Sequence, residues 1–386
     1  MTCQWCQGDL SDPEIIFKDF PMYSSSVPKG ALLDVDGYHY KYDFEITFCN
    51  KCGLIQQSVL PDMNIVYAFS KNEGVGGKWE EHYKKYANFI LKNKNPNGKY
   101  LEIGGGNLKV ADILYINKIQ DISIVEVDKE VLTKKYMLFN GFFEDIEFNE
   151  QYDNIYSSHV FEHISDFDKH IKKVLSILKD DGCYYISLPN FQFWIENFYL
   201  NAFIQDHTVY PTENDIINYL SNNFELISKD TFKDHSLFFC FKKRSNNYSN
   251  VHIKRHADKS KNTLCDYQNK LNQLDVFINI KLNLDDKVYI FGSHIFAEIL
   301  LSLPSVKSRN IIGILDNSKA KQDKYLYSYD IYVTSLEVLR NVDIDRVKVI
   351  VFAGAYEDEV RAQIKSINPN IKTITSDDFN YFQEGL

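Results

Sequence analysis

The sequence of 386 residues predicts an α/β protein. Its body is a doubly wound parallel sheet, flanked by a small cysteine-bearing unit before it and a smaller α/β unit after it. Three observations predict this. Strand-like and helix-like segments alternate, with short connections, from 99 to 188. Two Cys-x-x-Cys pairs precede that run, and a second, shorter alternation begins at Lys287. The expected units are therefore 1–70, 71–245 and 246–386.

Composition narrows the class. Hydrophobic residues make up 44% and charged residues 25%, as in an ordinary soluble globular chain. No apolar run approaches the ~20 residues of a membrane span. The start, Met1-Thr2-Cys3-Gln4-Trp5-Cys6, has no basic region followed by an apolar one, so a secretory leader is not expected there. A net charge of -10 argues against a nucleic-acid backbone as the main partner. Seven cysteines, four of them in the two pairs, fit a reducing cytoplasm and metal binding better than a disulfide scaffold.

In the first unit, Cys3-x-x-Cys6 and Cys49-x-x-Cys52 each form a knuckle with a glycine close behind, Gly8 and Gly53. Four thiolates in two knuckles suit a tetrahedral zinc ion with no open position, which supports a fold and does no chemistry. A redox Cys-x-x-Cys and free thiols are the alternatives. The 42 residues between the pairs require a β-rich insert, and Tyr38 to Phe48 alternates as a strand leading into the second knuckle.

The second unit opens on a glycine hinge, Gly74-Val75-Gly76-Gly77, followed by an amphipathic helix over 78–91 that Asn95-Pro96-Asn97-Gly98 ends. Strands are expected at 99–103, 122–127, 153–158 and 183–188, with helices at 109–117, 129–138 and 167–178. After the first strand comes Glu102-Ile103-Gly104-Gly105-Gly106-Asn107, a bend that brings bare backbone and a helix N-terminus to a ligand. Three successive glycines are not the dinucleotide fingerprint G-x-G-x-x-G. The second strand ends in Asp128, placed to accept the hydroxyls of a ribose, with Glu126 as the other candidate if the strand stops earlier. Asp145, where a third strand would end, meets an adenine amine or lies in a solvated loop.

These segments, with the fourth strand running into His159-Val160-Phe161-Glu162-His163 and a later Leu178-Lys179-Asp180-Asp181-Gly182, resemble the class I methyltransferases that use S-adenosylmethionine (SAM). The resemblance covers roughly 99–190. It implies that Glu102 and Gly104, Gly105 and Gly106 line the methionine end, that Asp128 takes the ribose, and that His159 and Glu162 close the pocket wall. His163 either joins that wall or is a structural histidine.

Past the sheet, 191–200 reads as a helix over the site, followed by Ile204-Gln205-Asp206-His207. A carboxylate beside an imidazole suits general-base work, or is a surface pair. With the order of the three units, this stretch resembles the sugar C-methyltransferases that act on nucleotide-linked keto-sugars and carry Tyr-x-Glu-His here. That resemblance implies His207 as the base and Asp206 as its partner. Ile204 stands where the family has tyrosine, so an oxyanion donor is missing unless Tyr199 or Tyr210 supplies it. O- or N-transfer therefore competes with C-transfer.

The third unit follows a polar linker over 244–250 and a basic stretch over 252–261, the latter a solvated helix start or a contact for a diphosphate. A helix over 262–281 and strands at 287–291, 310–315 and 347–353 make a Rossmann-like unit without a cofactor fingerprint. The resemblance places Gly292, Ser293, His294 and Tyr356 near the ligand; a structural or dimer-forming unit is the alternative. The expected protein is a cytoplasmic SAM-dependent methyltransferase of a nucleotide-linked sugar with structural zinc. The alternatives are a methyltransferase of another small molecule and a SAM-binding scaffold without turnover. Oligomeric state is not legible.

Overall fold

The computed structural model describes residues 2–69, 76–93, 98–244 and 256–384. The first half of the hinge (Gly74 and Val75), the helix-ending Asn95–Asn97, most of the linker and the first part of the basic stretch lie outside them.

The N-terminal unit contains β1 (Ile15–Pro21), β2 (Ser26–Val27), β3 (Lys41–Phe48) and β4 (Ile55–Gln57), then a single helical turn, α1 (Met63–Val66). Strands β1, β3 and β4 pair antiparallel in that order, so the insert between the knuckles is β-rich as its alternation demands. Phe17, Phe20, Phe44, Ile46 and Phe48 point inward and join a core shared with the C-terminal unit.

The central unit runs α2 (Gly77–Asn93), β5 (Tyr100–Ile103), α3 (Lys109–Ile116), β6 (Ile122–Glu126), β7 (Met137–Asn140), β8 (Tyr152–Ser158), α4 (Phe167–Ile177), β9 (Leu178–Pro189), α5 (Phe191–Glu196), α6 (Glu213–Leu220), β10 (Phe224–Phe232) and β11 (Ser236–Lys243). Its seven strands lie in the order β10-β11-β9-β8-β5-β6-β7. Strands β5 to β9 are parallel, and the β10–β11 hairpin closes one edge antiparallel. Chain order reverses at β5, between β6 and β8. A ligand crevice opens at such a switch, off the carboxyl ends of the strands.

The helix expected over 129–138 does not form. Side chains capture the backbone first: Asp128 Oδ1 accepts from Glu130 N at 2.9 Å and Thr133 Oγ1 from Lys135 N at 3.1 Å. Such local bonds compete with a helix. Lys135 and Tyr136 are then drawn to Asp112 of α3, each at 2.7 Å, and β7 starts directly after. The β10–β11 hairpin and α6 were not anticipated. The hairpin turn is Lys233-Asp234-His235 with Lys233 at φ +49°, which lacks the glycine that usually advertises a tight turn.

The C-terminal unit runs α7 (Ala257–Lys281), β12 (Lys287–Phe291), α8 (Ile295–Ser302), α9 (Pro304–Lys307), β13 (Asn310–Leu315), β14 (Tyr325–Leu326), β15 (Ile331–Thr334), β16 (Val347–Val351), α10 (Glu357–Ile367), β17 (Lys372–Thr375) and α11 (Ser376–Glu384). Its sheet is ordered β17-β16-β12-β13-β15-β14-β2. The last strand is borrowed: Ser26 and Val27 of the N-terminal unit pair with Leu326 and Tyr325. Ser24 adds a buried 2.5 Å hydrogen bond to Glu298 of α8. The first and third units are thus built into one another around the central sheet.

Candidate active site

The carboxyl ends of β5, β6 and β8 open into one cavity of about 860 Å³. Its floor is the glycine bend. Gly104 has φ +72° and Gly106 φ +46°, left-handed conformations that favour glycine. A Cβ on Gly104 would run into Val160 Cγ2, and one on Gly105 into Ile124 Cγ2. The bend is therefore a cradle that any side chain would fill.

Glu126, not Asp128, is the last residue of β6. Its buried carboxylate accepts from Gly106 N at 2.6 Å and from Asp128 N at 2.8 Å, so it ties the glycine bend to the strand end. Asp128 also lines the cavity, two residues further on, within the turn to Glu130. Glu102 is 1% exposed, 3.2 Å from Tyr156 Oη, and burial holds its carboxyl well above the usual range. A raised folded pKa means that the native state keeps a proton which the unfolded chain loses near pH 4.5. Stability is then lost as pH rises from that value toward the folded pKa. The variant Glu102→Gln is expected to melt higher than the wild type at pH 8, with the gap closing by pH 4, in paired thermal scans. Asp145 stands on the far wall, exposed, paired with Lys169 at 2.7 Å, which holds its carboxyl below the usual range.

The other end of the cavity is built by the turn after β8 and by the 204–210 loop. His159 lines the wall at φ +54°, its Nε2 2.9 Å from Ser236 Oγ and its Nδ1 3.3 Å from Glu162 Oε1. Burial drives His159 down to about 3 and lifts the fully enclosed Glu162 to about 7. His163 faces the cavity and donates from Nδ1 to the Asp206 carbonyl at 3.0 Å, so it belongs to the wall. Asp206 lines the cavity. His207, its side chain 8% exposed, stands behind, with Nε2 4.0 Å from Asp206 Oδ1 and its ring edge-on to His163. The pair is therefore reordered relative to the sequence expectation: the carboxylate meets the cavity and the imidazole backs it. Burial keeps His207 well below the usual histidine range.

Neither tyrosine offered in place of the missing one reaches this end. Tyr210 Oη donates to the Ile204 carbonyl at 2.8 Å, and Tyr199 Oη to Asp234 Oδ2 at 3.2 Å. Tyr67, just past α1, does line the cavity. Sequence reasoning missed it, because a four-residue turn carries no periodic signal. Of the C-terminal residues singled out, His294 reaches the cavity, while Tyr356 bonds His235 Nε2 at 2.9 Å outside it.

The loop carrying Asp206 is clamped by the N-terminal unit. Gln57 Nε2 donates to the carbonyls of Gln205 and His207 at 2.8 and 2.6 Å, and Gln57 N to Thr208 O at 3.2 Å. Behind β4 the four cysteines converge: Cys3 and Cys52 Sγ lie 3.6 Å apart, Cys6 and Cys49 Sγ 3.5 Å. Backbone N–H groups of Trp5, Lys51 and Cys52 point at sulfur. Four sulfurs at tetrahedral zinc, with Zn–S near 2.3 Å, would lie about 3.8 Å apart, so the donor set fits the ion.

A sheet of this order, a glycine cradle after its first parallel strand and a carboxylate closing the second define a class I SAM-dependent methyltransferase fold. The family model described as a methyltransferase domain matches residues 77–229, and the chain is a SAM-dependent methyltransferase. No curated protein matches it. Among solved structures it is similar to a SAM-dependent methyltransferase from Clostridium acetobutylicum, at 17% identity and TM-score 0.37 over 42% of this chain and 92% of that one. It is similar also to N-methyltransferase NodS from Bradyrhizobium japonicum with S-adenosylhomocysteine (SAH), at 12% identity and TM-score 0.35 over 44% and 88%. A third is 1,6-didemethyltoxoflavin-N1-methyltransferase from Burkholderia thailandensis, at 11% identity and TM-score 0.36 over 43% and 80%. Among the described residues no helix is long and apolar enough to cross a membrane.

Proposed function

We propose that the enzyme methylates an activated, nucleotide-linked sugar, at a hydroxyl or at the carbon beside a ketone, in the making of a surface glycan or a glycosylated metabolite. The observation that carries this reading is the reach of the cavity. It extends from the glycine bend past Asp206 to His294 of the C-terminal unit, so an extended acceptor would lie against both α/β units.

Bound SAM supplies an electrophilic methyl group on a sulfonium. Glu102 and the Gly104–Gly106 bend would take its amino-acid end, Glu126 with Asp128 the ribose hydroxyls, and Asp145 the adenine side. Four cysteines would hold structural zinc. Asp206 stands at the wall to take the acceptor proton, and Gln57 fixes its loop through the two carbonyls beside it. Alignment of donor and acceptor supplies most of the rate.

The test is methyl transfer measured by mass spectrometry against a panel of nucleotide-sugars. Asp206→Asn is expected to lower kcat by about 10²-fold or more, the usual worth of a positioned base. SAH affinity in the same variant should stay within about threefold. Unchanged kcat in Asp206→Asn removes the base assignment. A second reading, transfer to oxygen or nitrogen of a small molecule without a nucleotide, is favoured by the missing tyrosine at Ile204. Turnover of free sugars or amines alone would establish it.

A further inference from the structure

We infer that Glu162, His163 and His207 hold a divalent transition-metal ion at the acceptor end of the cavity. Their ligand atoms lie within 4.8 Å of one another. The buried carboxylate is the first independent sign. Glu162 is 1% exposed, and neither of its oxygens has a hydrogen-bond partner among the described residues; His159 Nδ1 comes only to 3.3 Å of one of them. A carboxyl taken out of water this completely is either protonated or offset by a nearby positive charge, and a metal ion supplies such a charge.

The histidines are prepared as ligands. A carbonyl oxygen can only accept, so the 3.0 Å contact with Asp206 O puts the His163 proton on Nδ1 and leaves the Nε2 lone pair free to bind. Metal-binding histidines are commonly oriented by such a bond from the second nitrogen to a carbonyl. The His163 and His207 rings stand at 88° with centroids 4.7 Å apart. Imidazoles on one ion at about 2.1 Å would have centroids about 4.6 Å apart at a right angle and about 5.3 Å apart in a tetrahedron. Two imidazoles and one carboxylate suit zinc, iron(II), cobalt(II) or manganese(II) and leave coordination positions open. Of the three ligands His163 lines the cavity while Glu162 and His207 are buried behind that wall, so the ion would meet the acceptor on its His163 side.

What the ion does rests on the methyl-transfer reading; whether it binds does not. An acceptor hydroxyl on the ion becomes more acidic. Its proton passes to the Asp206 carboxylate. The freed oxygen pair forms the bond to the methyl carbon, and the pair of the broken carbon–sulfur bond stays on sulfur. The ion keeps its oxidation state and offsets the oxyanion charge that the tyrosine absent at Ile204 would otherwise meet.

The test uses the full chain, treated with chelator, refilled with zinc at its cysteines and titrated calorimetrically with cobalt(II) alone. One cobalt ion per chain should bind the wild type. Glu162→Gln and His207→Ala should each bind at least ~100-fold more weakly, with SAH affinity, the control for folding, within about threefold. A wild type that takes no cobalt, or variants that bind it as the wild type does, overturns the site. Cobalt binding by a chain that ignores SAH upholds the site and overturns the methyl-transfer reading instead.

Discussion

Cys49→Ser is expected to remove the zinc that the proposed four-cysteine site would hold and, with it, the order of the loop that carries Asp206. The N-terminal sheet is three strands, and its cysteines are packed into the hydrophobic cluster of the central unit. Binding of structural zinc contributes on the order of 10 kcal/mol to such units, as much as the whole net stability of a typical domain. The knuckle is attached to the central unit through Trp5, which stacks on Tyr219 at 4.3 Å and stands edge-on to Phe161 and Phe167. Strand β4, which follows the second knuckle directly, carries Gln57 and so the two bonds that hold the Gln205 and His207 carbonyls. Losing the ion should therefore act on turnover at a distance. The expected results are no zinc at the cysteines by mass spectrometry, rapid proteolysis before residue 70, and at least a ~100-fold fall in turnover. SAH binding, governed by the central sheet, should fall far less. Full turnover in a zinc-free chain would show that the loop holds itself.

The parts of this fold that were legible are those whose signals are local. The glycine bend, the strand before it and α4 follow from spacing and from single residues with one conformational use. The knuckles follow from four cysteines. Illegible were the features set by partners far along the chain. That Asp206 rather than His207 meets the cavity depends on Gln57, some 150 residues upstream, pulling on the carbonyls. The borrowing of Ser26 and Val27 by the C-terminal sheet rests on two residues with no pattern of their own. Strand ends are a middle case. A shift of two residues decided between Asp128 and Glu126, and only the bonds to Gly106 N and Asp128 N resolve it.

Gly104→Ala is expected to abolish measurable SAM and SAH binding while leaving the fold in place. Two independent costs fall on that one methyl group. At φ +72° the new Cβ crowds its own carbonyl, worth roughly 1–2 kcal/mol. It also drives into Val160 Cγ2, which cannot retreat freely, because Val160 N-terminally joins His159, held by Ser236, and C-terminally joins the turn that carries the buried Phe161. Overpacking of this kind costs about 1–3 kcal/mol. The bend must therefore either shift out of the strained conformation or push Val160 toward the cavity. A shift would pull Gly106 N from Glu126, and movement of Val160 would close the floor on the ligand. Both outcomes remove the cradle, so affinity should fall by at least ~10²–10³-fold, with a loss of stability of about 2–5 kcal/mol. Calorimetry with SAH measures the first and denaturant unfolding the second. Gly105→Ala supplies the contrast: its Cβ would meet Ile124 inside the sheet, so stability should suffer first and binding only through it. Near-native SAH affinity in Gly104→Ala would mean that the ligand does not lie on this bend.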